Sequence, residues 1–167
     1  GSSGSMQAHI HAGDVAVVTA SIRDEGTTSA YLPMEFPAVA DINVVNTLNT
    51  AAQKLGYRHH AGIAHSKDSF YGEVERTRMP MADALSARWN AFIAGGAICS
   101  EMESAALFII SAIHRKRAGG VMLVINESDL AEASEAEDET HMKEFDADSV
   151  IKVAVEALKI LIQSDKQ

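Results

Sequence analysis

Apolar and polar positions fall in blocks along the chain, and block length separates strands from helices. DVAVVTASI, residues 14–22, is a short Val-, Thr- and Ile-rich run after a Gly-Asp pair, the pattern of a buried strand following a turn. EGTTSAYLPMEFPAVAD comes next as a loop, with Pro33 and Pro37 breaking any regular element. It ends at Asp41, an N-cap for INVVNTLNTAAQKLG, in which Val44, Leu48, Ala51, Ala52 and Leu55 recur at helical spacing and Gly56 supplies the stop. HHAGIAHSKDSFY predicts a strand that leaves the sheet near Ser66, followed by a polar loop to about Arg78. The stretch from Pro80 to Ile93 predicts a helix, with Pro80 tolerated in the first turn and Gly95-Gly96 ending it. AICSEM is a short apolar segment leading into ESAALFIISAIHRKR, apolar on almost every side except at its basic end, which predicts an interior helix whose Arg and Lys suit the negative end of the dipole. GGVMLVIN reads as another buried strand. ESDLAEASEAEDE, residues 127–139, is an acidic stretch that suits a solvated loop or a lid, and residues 140–163 close the chain as an amphipathic helix with Val150, Val153, Ala154, Ala157, Leu158 and Leu161 on one face. Strands alternate with helices and no repeat is present, so the fold class is α/β.

Composition narrows the function. At 167 residues the chain fits one domain, 1–167, and 47% hydrophobic residues suffice for a sizeable core. A formal net charge of -9 argues against nucleic acid, because gripping phosphate backbones requires clustered Lys and Arg. No run approaches the roughly 18 apolar residues of a membrane span. The single cysteine, Cys99, has no partner for an internal disulfide, and a soluble, cytoplasmic chain is expected.

Candidate chemistry is sparse. His9-x-His11 and His59-His60 invite a metal, yet no acidic or cysteine ligand lies at a spacing that completes a site, so none is expected. The glycine-rich phosphate loops and the nucleophile elbow are absent, and Cys99 in its apolar segment reads as packing rather than as a nucleophile. SEMESAA, residues 100–106, is the informative stretch. It sets Glu101, Met102 and Glu103 at a strand-to-helix junction, where α/β proteins place ligands. A carboxylate there is able to accept both vicinal hydroxyls of a ribose while the thioether lies against the sugar, or Glu103 simply favours the positive end of the following helix.

GSSGSMQAHIHAGDV, PMEFPAVAD, HSKDSFY, SEMESA and VIN, taken together and in this order, resemble the nucleoside phosphorylase family over nearly the whole chain, most closely its uridine-specific branch. GSSGSM by itself has the look of a purification scar. In the register of the resemblance Gly1-Ser2-Ser3-Gly4 falls on the family's G-T-T-G or G-T-S-G turn, and is native sequence. The resemblance implies a three-layer α/β/α fold around a central mixed, twisted sheet. It also implies that a further N-terminal part, with most of the phosphate-binding groups, precedes this chain in family members, so the chain is expected to be a C-terminal portion that binds phosphate poorly and is inactive alone. The implied reaction is reversible phosphorolysis of uridine to free base and ribose 1-phosphate, by a pentosyltransferase without metal or organic cofactor, phosphate being a co-substrate. The implied partners are nucleoside and inorganic phosphate, and a homodimer or a ring of dimers. In the implied site Ser2 contacts phosphate, while Ser3, Gly4, Phe70, Arg76 and Ile125 line the nucleobase. Glu101, Met102 and Glu103 hold the ribose, and Arg76 and Glu103 are the catalytic pair. Phe70 read as core packing and Arg76 read as a solvated loop charge stay open beside these roles. Two departures bear on the base. Val74 stands where a uracil-reading glutamine is expected, so that Glu73 or Glu75 would serve only if the loop shifts, and Glu127 replaces an arginine with a carboxylate compatible with purines. A purine nucleoside phosphorylase, or a catalytically dead nucleoside-binding or assembly subunit, are the alternatives.

Overall fold

Val15–Asp24 forms the longest strand, β2, and the sheet is assembled on both of its edges. In the computed structural model, which describes residues 1–127 and 147–166, β2 pairs in parallel with β4 (His59–Lys67) from Val15↔His59 to Asp24↔Lys67. Its other edge is shared. Residues 15–18 pair antiparallel with β6 (Gly120–Asn126), and Ala20 and Ser21 pair antiparallel with β3 (Ala38–Val39). β4 runs parallel to β5 (Cys99–Glu101), β5 antiparallel to β1 (Ser2–Ser5), and β1 parallel to β6, which returns to β2. Five strands therefore close into a ring, with β3 attached outside it.

The opening residues thus form a strand with two neighbours where a bend was expected. What remains of the bend is a register shift against β6 between Ser3 and Gly4. A Cβ on Gly4 would lie 3.0 Å from Asn126 Oδ1, so glycine leaves room for that side chain at the register shift.

Period-two alternation along β2 feeds two apolar layers. Val15 and Val17, with Leu123 of β6, pack under α1 (Ile42–Lys54) and α5 (Asp148–Ser164), against residues including Val45, Leu48, Ala51, Val150 and Val153. Ala16 and Val18, with Cys99 and Val124, pack under α4 (Ser104–Ile113) against Ala105, Phe108 and Ile109. A third cluster, Met6, Trp89 and Ala97, seats α3 (Ala82–Ala94). Helices on both faces of a mixed sheet make the three-layer α/β/α arrangement.

Local signals account for the boundaries. Asp41 Oδ1 accepts from the amides of Asn43 (2.9 Å) and Val44 (3.1 Å), capping α1. Gly56, at φ +75°, ends it, and the Tyr57 amide closes back on the Ala52 carbonyl at 3.0 Å. Leu55, one residue past the last turn, is exposed and Val45 takes its expected place in the core. α4 is shorter than predicted because Arg115 adopts φ +51° and the basic residues follow the helix; Leu107 and Ile113 face outward. α5 begins at Asp148, and the acidic stretch 128–139 and the first residues of the predicted closing helix lie outside the described residues. Leu158, expected on the packed face of α5, is exposed. The expected polar loop before Arg78 contains one helical turn, α2 (Tyr71–Val74), and a 3₁₀ turn, Arg76–Arg78, both too short for a hydrophobic period to show. The proline loop is held from within by the Arg23 guanidinium, which donates to the carbonyls of Thr28, Leu32, Pro33 and Phe36. Among the described residues no helix is long and apolar enough to cross a membrane.

Candidate functional site

Two registers converge three distant stretches of sequence. β5 sets Ser100 opposite both Gly4 of β1 and His65 of β4, and Glu101 opposite Ser66. Beyond β5 the chain turns through Met102 and Glu103 into α4.

Glu101 is buried and fully engaged. One oxygen accepts from the Ser66 hydroxyl and from Ser104 Oγ (2.6 Å), the other from the amides of Glu103 (2.8 Å) and Ser104 (2.7 Å). Ser66 Oγ also accepts from the Ala105 amide at 3.0 Å, and Ser104 Oγ lies 2.6 Å from Ser21 Oγ. This buried net satisfies the orphan amides at the start of α4, the work that the sequence offered to Glu103. Glu103 is left exposed and Met102 half-buried beside it. Gly1 lies within electrostatic reach of the Glu103 and Glu101 carboxylates. Ser2 is exposed, whereas Ser3 Oγ is buried beside the Cys99 thiol. Burial pushes that thiol up to about 12, which agrees with Cys99 as packing.

A cavity of about 200 Å³ opens over the carboxyl ends of β2 and β4, roofed by α2 and walled by α3. His65 and Lys67, two residues apart on β4, share its floor with Asp24 of β2. His65 Nε2 is 2.9 Å from Asp24 Oδ2, and its Nδ1 is 3.2 Å from Ser100 Oγ and 3.7 Å from Glu73 Oε2. Lys67 Nζ donates to Ser100 Oγ (2.7 Å) and pairs with Glu73 Oε2 (2.6 Å), which also accepts from Ser100 (2.6 Å). Arg88 pairs with Asp24. Burial alone would raise the Asp24 carboxyl; the hydrogen bond from His65 and the Arg88 guanidinium outweigh it and hold the group below its ordinary value. Aromatic faces complete the walls, with Phe92 and Trp89 at 4.8 and 5.9 Å from the His65 ring and the Arg76 guanidinium 5.2 Å from the Trp89 ring centroid.

Of the expected base-site residues, Arg76 lines this cavity. Phe70 stands outside it, 53% exposed, edge-on to Tyr71 with Lys67 Nζ 6.0 Å from its ring. Ile125 is half-buried in the layer under α1 and α5, and does not line the cavity. Lys67, His65, Asp24, Arg88 and Trp89 went unremarked in the sequence. Alternation along HSK hints that His65 and Lys67 share a face, but nothing local announces that Trp89, some twenty residues on, closes the same space. The histidines that invited a metal are engaged elsewhere: His60 with Asp14 at 2.9 Å, His9 against the His60 ring, His11 with Glu127 at 2.9 Å and His59 with the Tyr57 carbonyl at 3.0 Å. Among the described residues no three His, Cys, Asp or Glu side chains converge as metal ligands would.

A family model described as the phosphorylase superfamily matches residues 1–164. The uridine phosphorylase of Treponema pallidum (strain Nichols) is 43% identical over 166 residues, covering 99% of this chain and 62% of its own length. That of Escherichia coli (strain K12) is 37% identical over 173 residues, 97% of this chain and 64% of its own length. The purine nucleoside phosphorylase of Plasmodium falciparum (isolate 3D7) is 30% identical over 125 residues, 74% of this chain and 47% of its own length. The chain spans a little under two thirds of the length of the uridine phosphorylases it matches.

Proposed function

The chain belongs to the phosphorylase superfamily, and from that premise we propose that it carries the ribose and base subsites of a uridine phosphorylase, a pentosyltransferase that splits uridine with inorganic phosphate into uracil and ribose 1-phosphate. The observation that carries this reading is the junction after β5. Glu101 spends its polar capacity on Ser66 and the start of α4, which leaves Glu103 exposed and available to a ribose diol, next to Met102 and the opening residues of β1.

In this reading Glu103 grips the ribose hydroxyls, Met102 lies against the sugar, and Glu101 is a positioning residue. Ser2, exposed on β1, meets phosphate, and Ser3 and Gly4 form the wall shared with the base. Phe70 covers the ligand from the solvent side, and Ile125 supports β6 behind it. Cleavage loads positive charge on the sugar and negative charge on the base. Arg76 stabilises the latter as a fixed cation in a partly buried setting, where it is worth more than in water. No protein nucleophile, metal or organic cofactor is needed, since phosphate itself attacks the anomeric carbon. We place the enzyme in the cytoplasm, as a homodimer or a ring of dimers.

The purine alternative draws on the Glu127 carboxylate, which would serve a purine as a proton donor. Its hydrogen bond with His11, with that of the Ala12 amide, holds the Glu127 carboxyl below its ordinary value, the direction that disfavours a proton donor for a purine. The test is base release by the full-length protein. Uracil is expected from uridine only when phosphate is present, well ahead of hypoxanthine from inosine, and with a loss of at least about 100-fold in Glu103→Ala. Nucleoside binding without turnover would replace this reading with the dead-subunit one.

A further inference from the structure

We propose that His65 is a positioning residue whose proton decides whether the α2 turn, and Arg76 with it, is fastened to the sheet. What this does to turnover rests on the phosphorolysis reading above; the coupling itself stands on the contacts around one serine hydroxyl.

Ser100 is buried, and its hydroxyl meets three groups at once. It accepts from Lys67 Nζ at 2.7 Å, and lies 2.6 Å from Glu73 Oε2 and 3.2 Å from His65 Nδ1. A hydroxyl has one hydrogen to give and two lone pairs to receive. The other ring nitrogen of His65, Nε2, is 2.9 Å from Asp24 Oδ2, so the imidazole is held at both ends. With both nitrogens protonated every contact is satisfied: Nε2 donates to Asp24, Nδ1 donates to Ser100, and Ser100 gives its hydrogen to Glu73. Each neutral tautomer breaks one of these. A ring protonated at Nδ1 alone turns a lone pair on the Asp24 carboxylate, which has no hydrogen to offer. A ring protonated at Nε2 alone keeps the charge-assisted bond to Asp24, and its bare Nδ1 then competes with Glu73 for the single Ser100 hydrogen. Nδ1 is also 3.7 Å from Glu73 Oε2, so loss of the ring's charge removes an attraction from the same carboxylate.

Among the described residues Glu73 carries the side-chain bonds that join α2 to the sheet, to Lys67 of β4 and Ser100 of β5. Neighbouring contacts stay within the segment: the Gly72 amide donates to Ser69 Oγ at 2.9 Å, and Glu75 pairs with Arg78 at 2.6 Å. No residue of α2 is buried, so apolar packing adds little hold. Arg76 depends on the same residue. Its Nη1 donates to the Glu73 carbonyl at 2.8 Å, and its guanidinium lies over the Trp89 ring. Loosening the Glu73 carboxylate therefore loosens α2 and displaces the cation. The charged groups that face His65 are Asp24 of β2, Lys67 of its own strand and Glu73 of α2; Arg88 of α3 acts on it through Asp24, and Arg76 lies across the Trp89 ring from it. Asp68 lines the same cavity and takes the Gly26 amide at 2.8 Å. His65 itself lines that cavity, which gives protons a path to it from solvent.

Hydrogen exchange of residues 70–78 in the full-length protein, followed by mass spectrometry from about pH 5 to about pH 8 and divided by the intrinsic rates, reads the coupling without turnover. Protection is expected to fall at least about 10-fold as His65 loses its proton, the ring being followed by NMR over the same range. His65→Gln carries no charge at any pH, and Ser100→Ala has no hydroxyl hydrogen to share; in both, protection is expected to be flat across the range. His60→Gln alters a histidine paired with Asp14 instead, and is expected to keep the parent's slope. Flat protection in the parent, a slope that does not follow the His65 ring, or a slope that survives in His65→Gln overturns the inference, and the parent decides the matter if a variant fails to fold. Phosphate-dependent cleavage of uridine is scored separately. Its kcat/KM is expected to fall over the same range in the parent and to lose that limb in His65→Gln. A protection slope without cleavage keeps the proton coupling and discards the phosphorolysis reading, and cleavage with flat protection does the reverse.

Discussion

Asp24 shows how far a single residue depends on neighbours it does not meet in sequence. It ends β2, and His65 of β4 and Arg88 of α3 reach it from two other elements. Their combined effect holds its folded pKa below that of the unfolded chain. The unfolded state therefore binds the proton at higher pH, so the stability linked to Asp24 is complete above about pH 4 and is lost as pH falls through the lower folded value. Urea titrations across a pH series are expected to show a shallower acid limb in Asp24→Asn than in the parent; identical limbs would mean the ion pairs contribute nothing. Residue identity alone announced the buried Cys99 correctly, since an apolar stretch predicts a raised thiol pKa. It did not separate Glu101 from Glu103. Both carboxylates lie at one junction, and only the strand register that points Glu101 at Ser66 and Ser104 assigns it to the backbone and leaves Glu103 to the surface.

Elements with their own punctuation were legible before any contact was known. The α1 helix needed only Asp41 before it, an apolar stripe within it and Gly56 after it; the cap and the stop act as predicted, and the stripe does so through Leu48, Ala51 and Ala52, with Val45 buried instead of Leu55. β4 carries a constraint that no local pattern displays: a Cβ on Gly62 would come within 2.6 Å of Ile98 Cγ2, and that isoleucine is buried. Overpacking there is expected to cost Gly62→Ala about 1–3 kcal/mol, read as a lower denaturation midpoint at unchanged slope. No loss would show that Ile98 repacks freely. The α2 turn escaped the sequence because four residues carry no period, and yet its phase decides which of Glu73 and Val74 faces the cavity.

For the whole molecule, ring closure pairs the five ring strands with one another and leaves β3 attached outside. β2 is bonded along both edges over residues 15–18. Those amides are expected to exchange hydrogen only through global opening, while the amides of α2 and the following 3₁₀ turn exchange through local opening orders of magnitude sooner. Native-state exchange followed by mass spectrometry checks this, and comparable rates in the two segments would contradict it. The longer strands and helices, the Asp41 cap and Gly56 stop of α1, the α/β class and the family resemblance were in the sequence, because they depend on residues close together in the chain or on motifs taken in order. The tertiary structure alone decided that GSSGS is an interior strand, that the sheet closes, and that Asp24, Lys67, Glu73 and Trp89 surround one cavity. Those outcomes depend on registers between strands up to about 120 residues apart in sequence and on which side of a one-turn helix meets a wall supplied by another helix, and neither leaves a periodic trace.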